Sequence, residues 1–337
     1  MRNIFNSKYP IIQAPMAGGI ISPHFVAKIC NSGIVGFIPA GYLNLPQLEE
    51  FIITVKNLLN PNAVFGINIF IESDRKSEMI DKPNYIINIE KELNYNSINQ
   101  IEVPSNIHEN DYIDLFIKYS VKFVSCTFGF FNNQSIQRLK DHDIKIIGNT
   151  TNLKEFEYCV NNKADAIIIQ GTEAGGHQSS FMNNAVNLKS TKDLLLQVRE
   201  IYPTTTIIAA GGISSKNYKE FLNLGADYAQ LGTAFMLTHE SNLSDKIKQF
   251  IITSMNTSLN NKITGKYARG ILNKLMEMLN KETITHEFPV QHYITSEIRK
   301  YAKSQDNHNF MSLWVGSNPD NLTLQSLEEI IDKLTYK

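Results

Sequence analysis

One histidine lies where its neighbours leave room for a small substrate. His177 follows the turn Glu173-Ala174-Gly175-Gly176, which carries little side-chain bulk, and this turn follows an apolar run that ends at Gln170. A lone histidine is more often an ordinary surface residue, but a position directly after a buried strand favours a functional role. An imidazole can bind an anion or take up a proton near neutral pH. We therefore expect His177 to be the catalytic residue.

Two glycine-rich turns have the composition of a phosphate-binding site. Gly211-Gly212 and Gly232-Thr233 each follow a short apolar run, and the first leads into a segment that we expect to be a helix capped by Ser214. Glycine lets the backbone approach a ligand closely, and the free N–H groups at a helix start attract anions. Either turn alone would be read as a tight turn. At neighbouring strand ends, the pair predicts a site for one phosphate monoester.

Side chains at the other strand ends suit a flat aromatic ligand. The Met16 thioether can pack on a ring, and the amides of Asn68, Gln170 and Gln230 can bond ring nitrogen and oxygen atoms. A core methionine and ordinary strand-end amides are the alternatives. The sequence has one phosphate site and no GxGxxG motif, which favours a mononucleotide over a dinucleotide. We therefore predict flavin mononucleotide (FMN) as the cofactor.

Eight short apolar runs would position these residues. Most are continuous and rich in Val and Ile, which is typical of parallel strands buried on both faces. Helix-like segments lie between most of them, so the chain is predicted to be an α/β protein with a closed (β/α)8 TIM barrel. The strands are predicted at residues 11–16, 34–39, 64–69, 123–127, 145–149, 166–170, 206–210 and 228–231, and helices at 22–31, 46–59, 112–119, 132–141, 152–161, 191–200 and 214–224.

Two segments exceed what a simple barrel needs. Residues 72–111 are predicted to be an insertion after strand 3, with an amphipathic helix near residues 86–93. Residues 241–337 are predicted to be a helical extension packed on the barrel of residues 1–240. Its helices are expected at residues 245–255, 266–279 and 326–334.

Composition excludes several classes of function. The 337 residues carry a net charge of −1, so neither nucleic acid nor an anionic membrane is an expected partner. No apolar run is long enough to cross a bilayer, and the polar start lacks a signal-peptide core. Cys30, Cys126 and Cys159 form no CxxC pair, so we expect no disulfide framework and a cytoplasmic protein. His286 and His292 lack metal-ligand spacing, so no catalytic metal is expected.

The residues discussed so far lie within longer sequence motifs, and further motifs occur near the end of the chain. They are PIIQAPMAGG at residues 10–19, QGTEAGGH at 170–177, AAGGI at 209–213, GADYAQLGTAF at 225–235, TGKYARG at 264–270 and SLWVG at 312–316. Together they resemble the nitronate monooxygenases, formerly called 2-nitropropane dioxygenases, over residues 10–317. A departure is Phe130-Phe131, where relatives often have Leu-Pro. We expect this pair and the insertion to line the substrate pocket.

The resemblance implies oxidation of alkyl nitronates, such as propionate 3-nitronate, by dioxygen. The products would be a carbonyl compound and nitrite, and the role would be detoxification. By motif match His177 would be the catalytic histidine. The residues that would contact FMN are Met16, Asn68, Gln170, Gly175, Gly212, Gln230, Leu231, Gly232 and Thr233.

Two other functions fit parts of the pattern. Enoyl-acyl-carrier-protein reductases and quinone reductases of the same superfamily share the Glu-x-Gly-Gly-His turn, and they would reduce FMN with NAD(P)H. A non-catalytic barrel that binds a phosphate ligand would keep the two glycine turns without needing His177. The motifs at residues 264–270 and 312–316 favour the nitronate enzymes, whereas His177 and the strand-end amides argue against the binding protein.

Overall fold

A closed barrel of parallel strands forms the centre of the computed structural model, which describes residues 2–182, 185–254, 256–317 and 322–335. Each barrel strand pairs with the next along the chain, and the eighth returns to pair with the first. This confirms the predicted (β/α)8 TIM barrel. Barrel strands 1 to 8 are Ile11–Gln13, Val35–Pro39, Phe65–Phe70, Phe123–Thr127, Lys145–Thr150, Ala166–Gln170, Ile207–Ala210 and Tyr228–Leu231.

Helices surround the barrel between successive strands. Ser22 caps the first of them, because its side chain accepts a hydrogen bond from the Phe25 N–H and proline follows at the first helical position. Asn44 and Gln47 form a reciprocal capping box at the second. The helices are Pro23–Asn31, Leu45–Leu58, Glu109–Lys118, Asn133–Asp141, Leu153–Asn161, Thr191–Ile201, Tyr218–Asn223 and Thr233–Met236.

The helix after barrel strand 7 starts later than predicted. Ser214 does not cap it, since the helix begins at Tyr218 and residues 215–217 form a turn. Asn217 holds this turn: its side chain accepts from the Ser214 N–H at 2.7 Å and donates to the Gly212 carbonyl at 2.9 Å. The local amide bonds compete with helical ones, which explains the delayed start.

The barrel interior is filled by side chains rather than left open. Phe5 closes the end opposite the carboxyl ends of the strands, with its ring 4.6 Å from that of Phe123 and 5.0 Å from that of Tyr228. Inward-facing residues such as Ile12 and Ile168 complete this buried cluster. The polar and glycine residues of the strand ends therefore gather at one end of a packed core.

An insertion does follow barrel strand 3, as predicted. It contains an antiparallel pair of strands, Glu78–Asp81 and Gln100–Val103, and the helix Asn84–Glu92. A buried ion pair holds it together, with Lys82 Nζ at 2.8 Å from Glu90 Oε2.

The extension after the barrel is mainly helical but contains two strands that were not predicted. Only the end of the predicted helix at residues 266–279 is helical, because residues 268–271 form a strand instead. The helices near residues 245 and 327 are confirmed; the predicted end of the first, Met255, lies outside the described residues. The elements are Asp245–Thr253, Lys274–Asn280, Val290–Ser304, the 3₁₀ turn His308–Phe310, Leu327–Thr335 and the strands Thr257–Asn260 and Ala268–Ile271.

The insertion and the extension share one hydrophobic cluster. Ile86 and Ile89 of the insertion pack together with Leu275 and Ile294 of the extension, and Met16 at the end of barrel strand 1 packs against the same cluster. The two segments therefore cover the carboxyl end of the barrel together. The division into units 1–240 and 241–337 stays a prediction. Among the described helices, none has both the length and the apolarity that a membrane span requires.

Candidate active site

The carboxyl ends of the barrel strands surround a cavity of about 660 Å³. This cavity collects the predicted site residues from strands that are far apart in sequence. Those that line it are Met16, Asn68, Gln170, Gly175, His177, Gly211, Gly212, Gln230, Gly232 and Thr233. Their contact with a flavin stays a prediction.

Leu231 is the predicted site residue that does not reach the cavity. It is fully buried in the cluster between the barrel and its helices. Successive side chains of a strand point to opposite faces, so Gln230 faces the barrel mouth and Leu231 faces outwards. Phe130 and Phe131 are buried in that same outer cluster. They and residues 72–111 are absent from the cavity lining, so the expectation that they shape it was wrong.

Two of the predicted amides keep an oxygen free for a ligand. The Asn68 Nδ2 group donates to Ser125 Oγ at 2.9 Å and to Thr127 Oγ1 at 3.1 Å, and its Oδ1 has no partner among the described residues. Gln230 Oε1 is buried and also lacks a partner in the described part of the chain. An unpaired buried acceptor costs free energy, so Gln230 indicates that a ligand donates to it.

The Gln170 amide is used by the protein itself. Its Nε2 donates to the His177 carbonyl at 2.9 Å, and its Oε1 accepts from the Ser179 N–H at 2.8 Å. This side chain therefore fixes the loop that carries His177 to the end of barrel strand 6.

The turn before His177 is shaped by a close contact and by a helix start. A Cβ on Gly175 would lie 2.6 Å from the Gly316 nitrogen, so only glycine lets the segment at residues 312–316 approach. Glu173 Oε2 accepts from the Thr191 N–H at 2.9 Å and from its hydroxyl at 3.0 Å. The carboxylate is thus engaged at the start of the next helix and is not a free acid in the cavity.

The end of the cavity near barrel strands 7 and 8 has the features expected of an anion-binding site. Gly211 and Gly212 adopt φ angles of +112° and +67°, which side-chain-bearing residues rarely adopt. A Cβ at Gly232 would meet only the Ala14 methyl group, at 3.7 Å, so backbone there is open to a ligand. Lys216 and Lys333 also line this end and supply positive charge.

His177 is positioned by a short strand that the sequence did not predict. The pair Gly176–His177 lies antiparallel to Ala268–Ile271, with Ala268 opposite His177. This pairing places the 264–270 motif next to the catalytic candidate. The His177 Nε2 atom lies 2.8 Å from the hydroxyl oxygen of Thr264, a buried residue.

The contacts of the Thr264 hydroxyl determine which nitrogen of His177 carries the proton. Its Oγ1 also lies 3.3 Å from the Lys266 carbonyl oxygen, to which it can donate. In that arrangement Nε2 keeps its proton and donates to Thr264, and Nδ1 carries the lone pair. Nδ1 has no partner among the described residues, so it is the nitrogen that remains for a ligand.

Burial holds the imidazole in its neutral form. Desolvation, with the positive charges of Arg299 and Lys266, lowers the pKa of His177 to about 3. The ring is enclosed by aromatic side chains, with centroids 5.4 Å from Phe128, 5.5 Å from Trp314 and 6.2 Å from Phe288. At neutral pH the site therefore offers a neutral imidazole inside an aromatic wall.

Several residues of this site were missed by sequence reasoning. Tyr42 and Phe70 line the cavity from barrel strands 2 and 3, and Asn149 does so from strand 5. Asn149 follows the same strand-end rule as the other amides and was detectable. No comparable local signal marks Thr264 as the partner of His177, since 87 residues separate the two along the chain. Among the described residues, no group of three or more His, Cys, Asp or Glu side chains forms a potential metal site.

Comparisons with known proteins agree with this geometry. A family model described as nitronate monooxygenase matches residues 1–337. A protein of Staphylococcus aureus (strain MRSA252) named "Probable nitronate monooxygenase" is 33% identical over 343 residues, which cover 99% of this chain and 95% of that protein.

Solved structures show the same architecture. A nitroalkane oxidase from Streptomyces ansochromogenes superposes with a TM-score of 0.86 at 26% identity, covering 97% of this chain and 95% of its own. FabK from Thermotoga maritima superposes with a TM-score of 0.74 at 20% identity, covering 98% and 93%, and shares the fold. On the family match and the relative in Staphylococcus aureus, the chain belongs to the nitronate monooxygenase family of flavin-dependent oxidoreductases.

Proposed function

We propose that this protein oxidises alkyl nitronates, such as propionate 3-nitronate, with dioxygen and FMN, and releases a carbonyl compound and nitrite. The observation that carries the proposal is the position of His177. Its neutral imidazole lines the same cavity as the orphan acceptor Gln230 Oε1 and the glycine turns at residues 211–212 and 232–233.

The cavity residues fit a flavin mononucleotide. The turn at Gly211-Gly212, with its positive φ angles, and the open backbone at Gly232 would hold the phosphate, with Lys216 and Lys333 nearby. Gln230 and Asn68 would bond the polar edge of the ring, which relieves the unpaired Gln230 oxygen. When bound, FMN would supply the electron-transfer chemistry between nitronate and dioxygen.

The protein contributes positioning and a proton acceptor. Arg299 and Lys266 make the surroundings of His177 positive, which favours an anionic nitronate. The aromatic wall excludes water from this part of the cavity and so strengthens the attraction. For a neutral nitroalkane, His177 Nδ1 would take the α-proton as a general base.

The cellular role that we propose is detoxification of nitronates in the cytoplasm. Cys30, Cys126 and Cys159 are unpaired and buried, which supports a reducing compartment.

Cofactor release and product analysis test the proposal together. Acid precipitation of the purified protein should release one FMN per chain, because the contacts that would hold it are noncovalent. The FMN-loaded protein should consume dioxygen and form nitrite when propionate 3-nitronate is added. FAD in the supernatant, or FMN-loaded protein that forms no nitrite, would overturn it. Free FMN at the same concentration, without protein, serves as the control for nonenzymatic oxidation.

A further inference from the structure

Asn149 presents an amide to the cavity that the protein itself does not fully use. The residue lies near the carboxyl end of barrel strand 5, lines the cavity and is 8% exposed. Its Oδ1 accepts a hydrogen bond from Ser179 Oγ at 2.9 Å. Its Nδ2 has no partner among the described residues. The N–H groups of a nearly buried amide are therefore left for a ligand.

The Ser179 hydroxyl fixes which end of this amide faces the cavity. Ser179 is fully buried, and its hydroxyl donates to Asn149 Oδ1 and to no other atom of the described residues. A rotated amide would turn Nδ2 towards Ser179 and leave the hydroxyl proton without an acceptor, which costs free energy in a buried place. The Ser179 N–H donates to Gln170 Oε1 at 2.8 Å, so the serine is itself held. The N–H groups of Asn149 are thus directed to the cavity.

The strand-end amides of the barrel have different fixed roles. Asn68 uses its Nδ2 to bond Ser125 and Thr127 and leaves its oxygen for the cavity. Gln170 uses both ends of its amide within the protein. Asn149 has the opposite polarity to Asn68, because its oxygen is bound and its nitrogen is free. The cavity therefore has a fixed donor at strand 5 and a fixed acceptor at strand 3.

The acceptor for Asn149 has to arrive with a ligand. In the described part of the chain no aspartate or glutamate side chain lines the cavity. Across the closed barrel from the glycine turns after strands 7 and 8 lie the ends of strands 3 to 5. Asn149 is therefore placed to reach the part of a ligand that is remote from a phosphate held at those turns.

We propose that Asn149, oriented by Ser179, donates a hydrogen bond to an acceptor atom of the flavin ring and raises the reduction potential of the bound cofactor. The inference rests on the proposed FMN cofactor and adds a residue that tunes it. An oxidised flavin ring offers two carbonyl oxygens and two unprotonated nitrogens as acceptors, and it gains negative charge on reduction. A donor that is oriented beforehand stabilises the charged form more than the neutral one.

A change from asparagine to leucine removes the donor at nearly constant size. In FMN-loaded Asn149→Leu, reduced FMN should lose about 10-fold more affinity than oxidised FMN, because the hydrogen bond to the charged form is the stronger one. That ratio corresponds to a fall of about 30 mV in the two-electron reduction potential. The potential is measured anaerobically against a reference dye, and the Kd of oxidised FMN by fluorescence titration of the apoprotein.

Three further variants separate the donor from a general disturbance of the cavity. Asn149→Asp keeps an oxygen for Ser179 and directs a second oxygen to the cavity, so it should lower the potential further than Asn149→Leu. Ser179→Ala frees the amide to rotate and should lower the potential by less. Asn68→Leu, the matched control, removes an acceptor from the same cavity and should not lower the potential. Equal falls in Asn68→Leu and Asn149→Leu would overturn the proposal.

Folding and the proposed reaction are tested separately. Tm and FMN content are measured for every variant. If Asn149→Leu does not fold, the double variant Asn149→Leu/Ser179→Ala replaces it, because removal of both partners leaves no unpaired hydroxyl.

The measurement needs a bound flavin but no turnover of nitronate. A lowered potential in Asn149→Leu, together with no nitrite from the wild type, would reject the proposed reaction and support the role of Asn149. An unchanged potential in FMN-loaded Asn149→Leu, or a wild type that binds no flavin, would overturn that role whatever the turnover.

Discussion

His177 and Thr264 meet through a 2.8 Å contact between the imidazole Nε2 and the threonine hydroxyl, although they belong to different parts of the fold. Strand pairing between Gly176–His177 and Ala268–Ile271 brings them together. The hydroxyl can donate to the Lys266 carbonyl while it accepts from Nε2. This relay leaves the lone pair on Nδ1, the form that a general base needs.

Removal of the Thr264 hydroxyl should weaken proton transfer more than nitronate oxidation. In Thr264→Val, Nε2 loses its acceptor, so the imidazolium that forms on proton uptake is less stabilised. We expect kcat/KM for neutral nitroethane to fall about 10-fold, as for the loss of one buried hydrogen bond, and ethyl nitronate to change less. Thr264→Ser should restore most of the loss. Equal effects on both substrate forms would mean that Thr264 has only a structural role.

Substitution of His177 by asparagine should separate its two possible roles. An amide can still donate to an anion but cannot act as a base. His177→Asn should therefore lower turnover of neutral nitroalkane by about 10²- to 10⁴-fold, and only weaken turnover of preformed nitronate. The measurement is kcat/KM for both forms, with flavin content as the control. Unchanged values for both would remove His177 from the mechanism.

The barrel was predictable because its strands carry a strong local signal. The runs around Ile167 and Ile207 are buried on both faces, so they read as continuous apolar segments. The helix Val290–Ser304 was missed because polar Gln291 and Thr295 lie on its buried face and mask the apolar period. Pairing with His177 overrides the helical pattern near Ala268, and such long-range pairing is not visible in local sequence.

The site residues at the ends of the barrel strands were predictable from the sequence. Those contributed by the extension, residues 241–337, were not. The presence of Gln230 and His177 in the cavity was predictable, because one lies at the end of a strand and the other in the turn after a strand. Thr264 reaches His177 only through packing of residues 241–337 onto the barrel. The bonds of Gln170 to His177 and Ser179 could not be seen in the sequence, and its contact with a flavin stays a prediction.

The low pKa of His177 predicts distinctive pH behaviour. Because the pKa is about 3, kcat/KM for freshly prepared nitronate should show no His177 ionisation between about pH 5.5 and 8.5. In the unfolded chain the pKa of His177 is about 6.5. Below that pH the unfolded chain binds a proton at His177, whereas the folded protein does not. The contribution of His177 to stability is therefore present above that pH and is lost as the pH falls towards 3.

Unfolding measurements test whether the stability contribution of His177 is lost as the pH falls. From about pH 6.5 downwards, the free energy of unfolding of the wild type should fall relative to that of His177→Asn, by up to about 1.4 kcal/mol per pH unit. Denaturant titrations of both proteins at several pH values give the difference. Parallel pH profiles, or an ionisation near pH 6.5 in kcat/KM, would contradict the buried neutral imidazole.

A side chain at Gly212 should interfere with binding of the FMN phosphate at the proposed site. Gly212 has φ +67°, and its Cβ would lie 3.0 Å from that of Glu173. We expect Gly212→Val to be folded but largely without flavin. Gly225→Val is the matched control, since Gly225 also has a positive φ, of +107°, but does not line the cavity. If Gly212→Val retains FMN at the level of the control, the phosphate lies elsewhere.

Anaerobic mixing tests the central claim, that a nitronate rather than a nicotinamide is the electron donor. The holoenzyme is mixed without oxygen with propionate 3-nitronate, or separately with NADH or NADPH, and the flavin absorbance is followed. We predict rapid bleaching by the nitronate, none by NADH or NADPH on the same timescale, and recovery of the absorbance with nitrite formation when air is admitted. Rapid bleaching by NADH or NADPH with an unchanged spectrum under nitronate would contradict the account and identify a reductase.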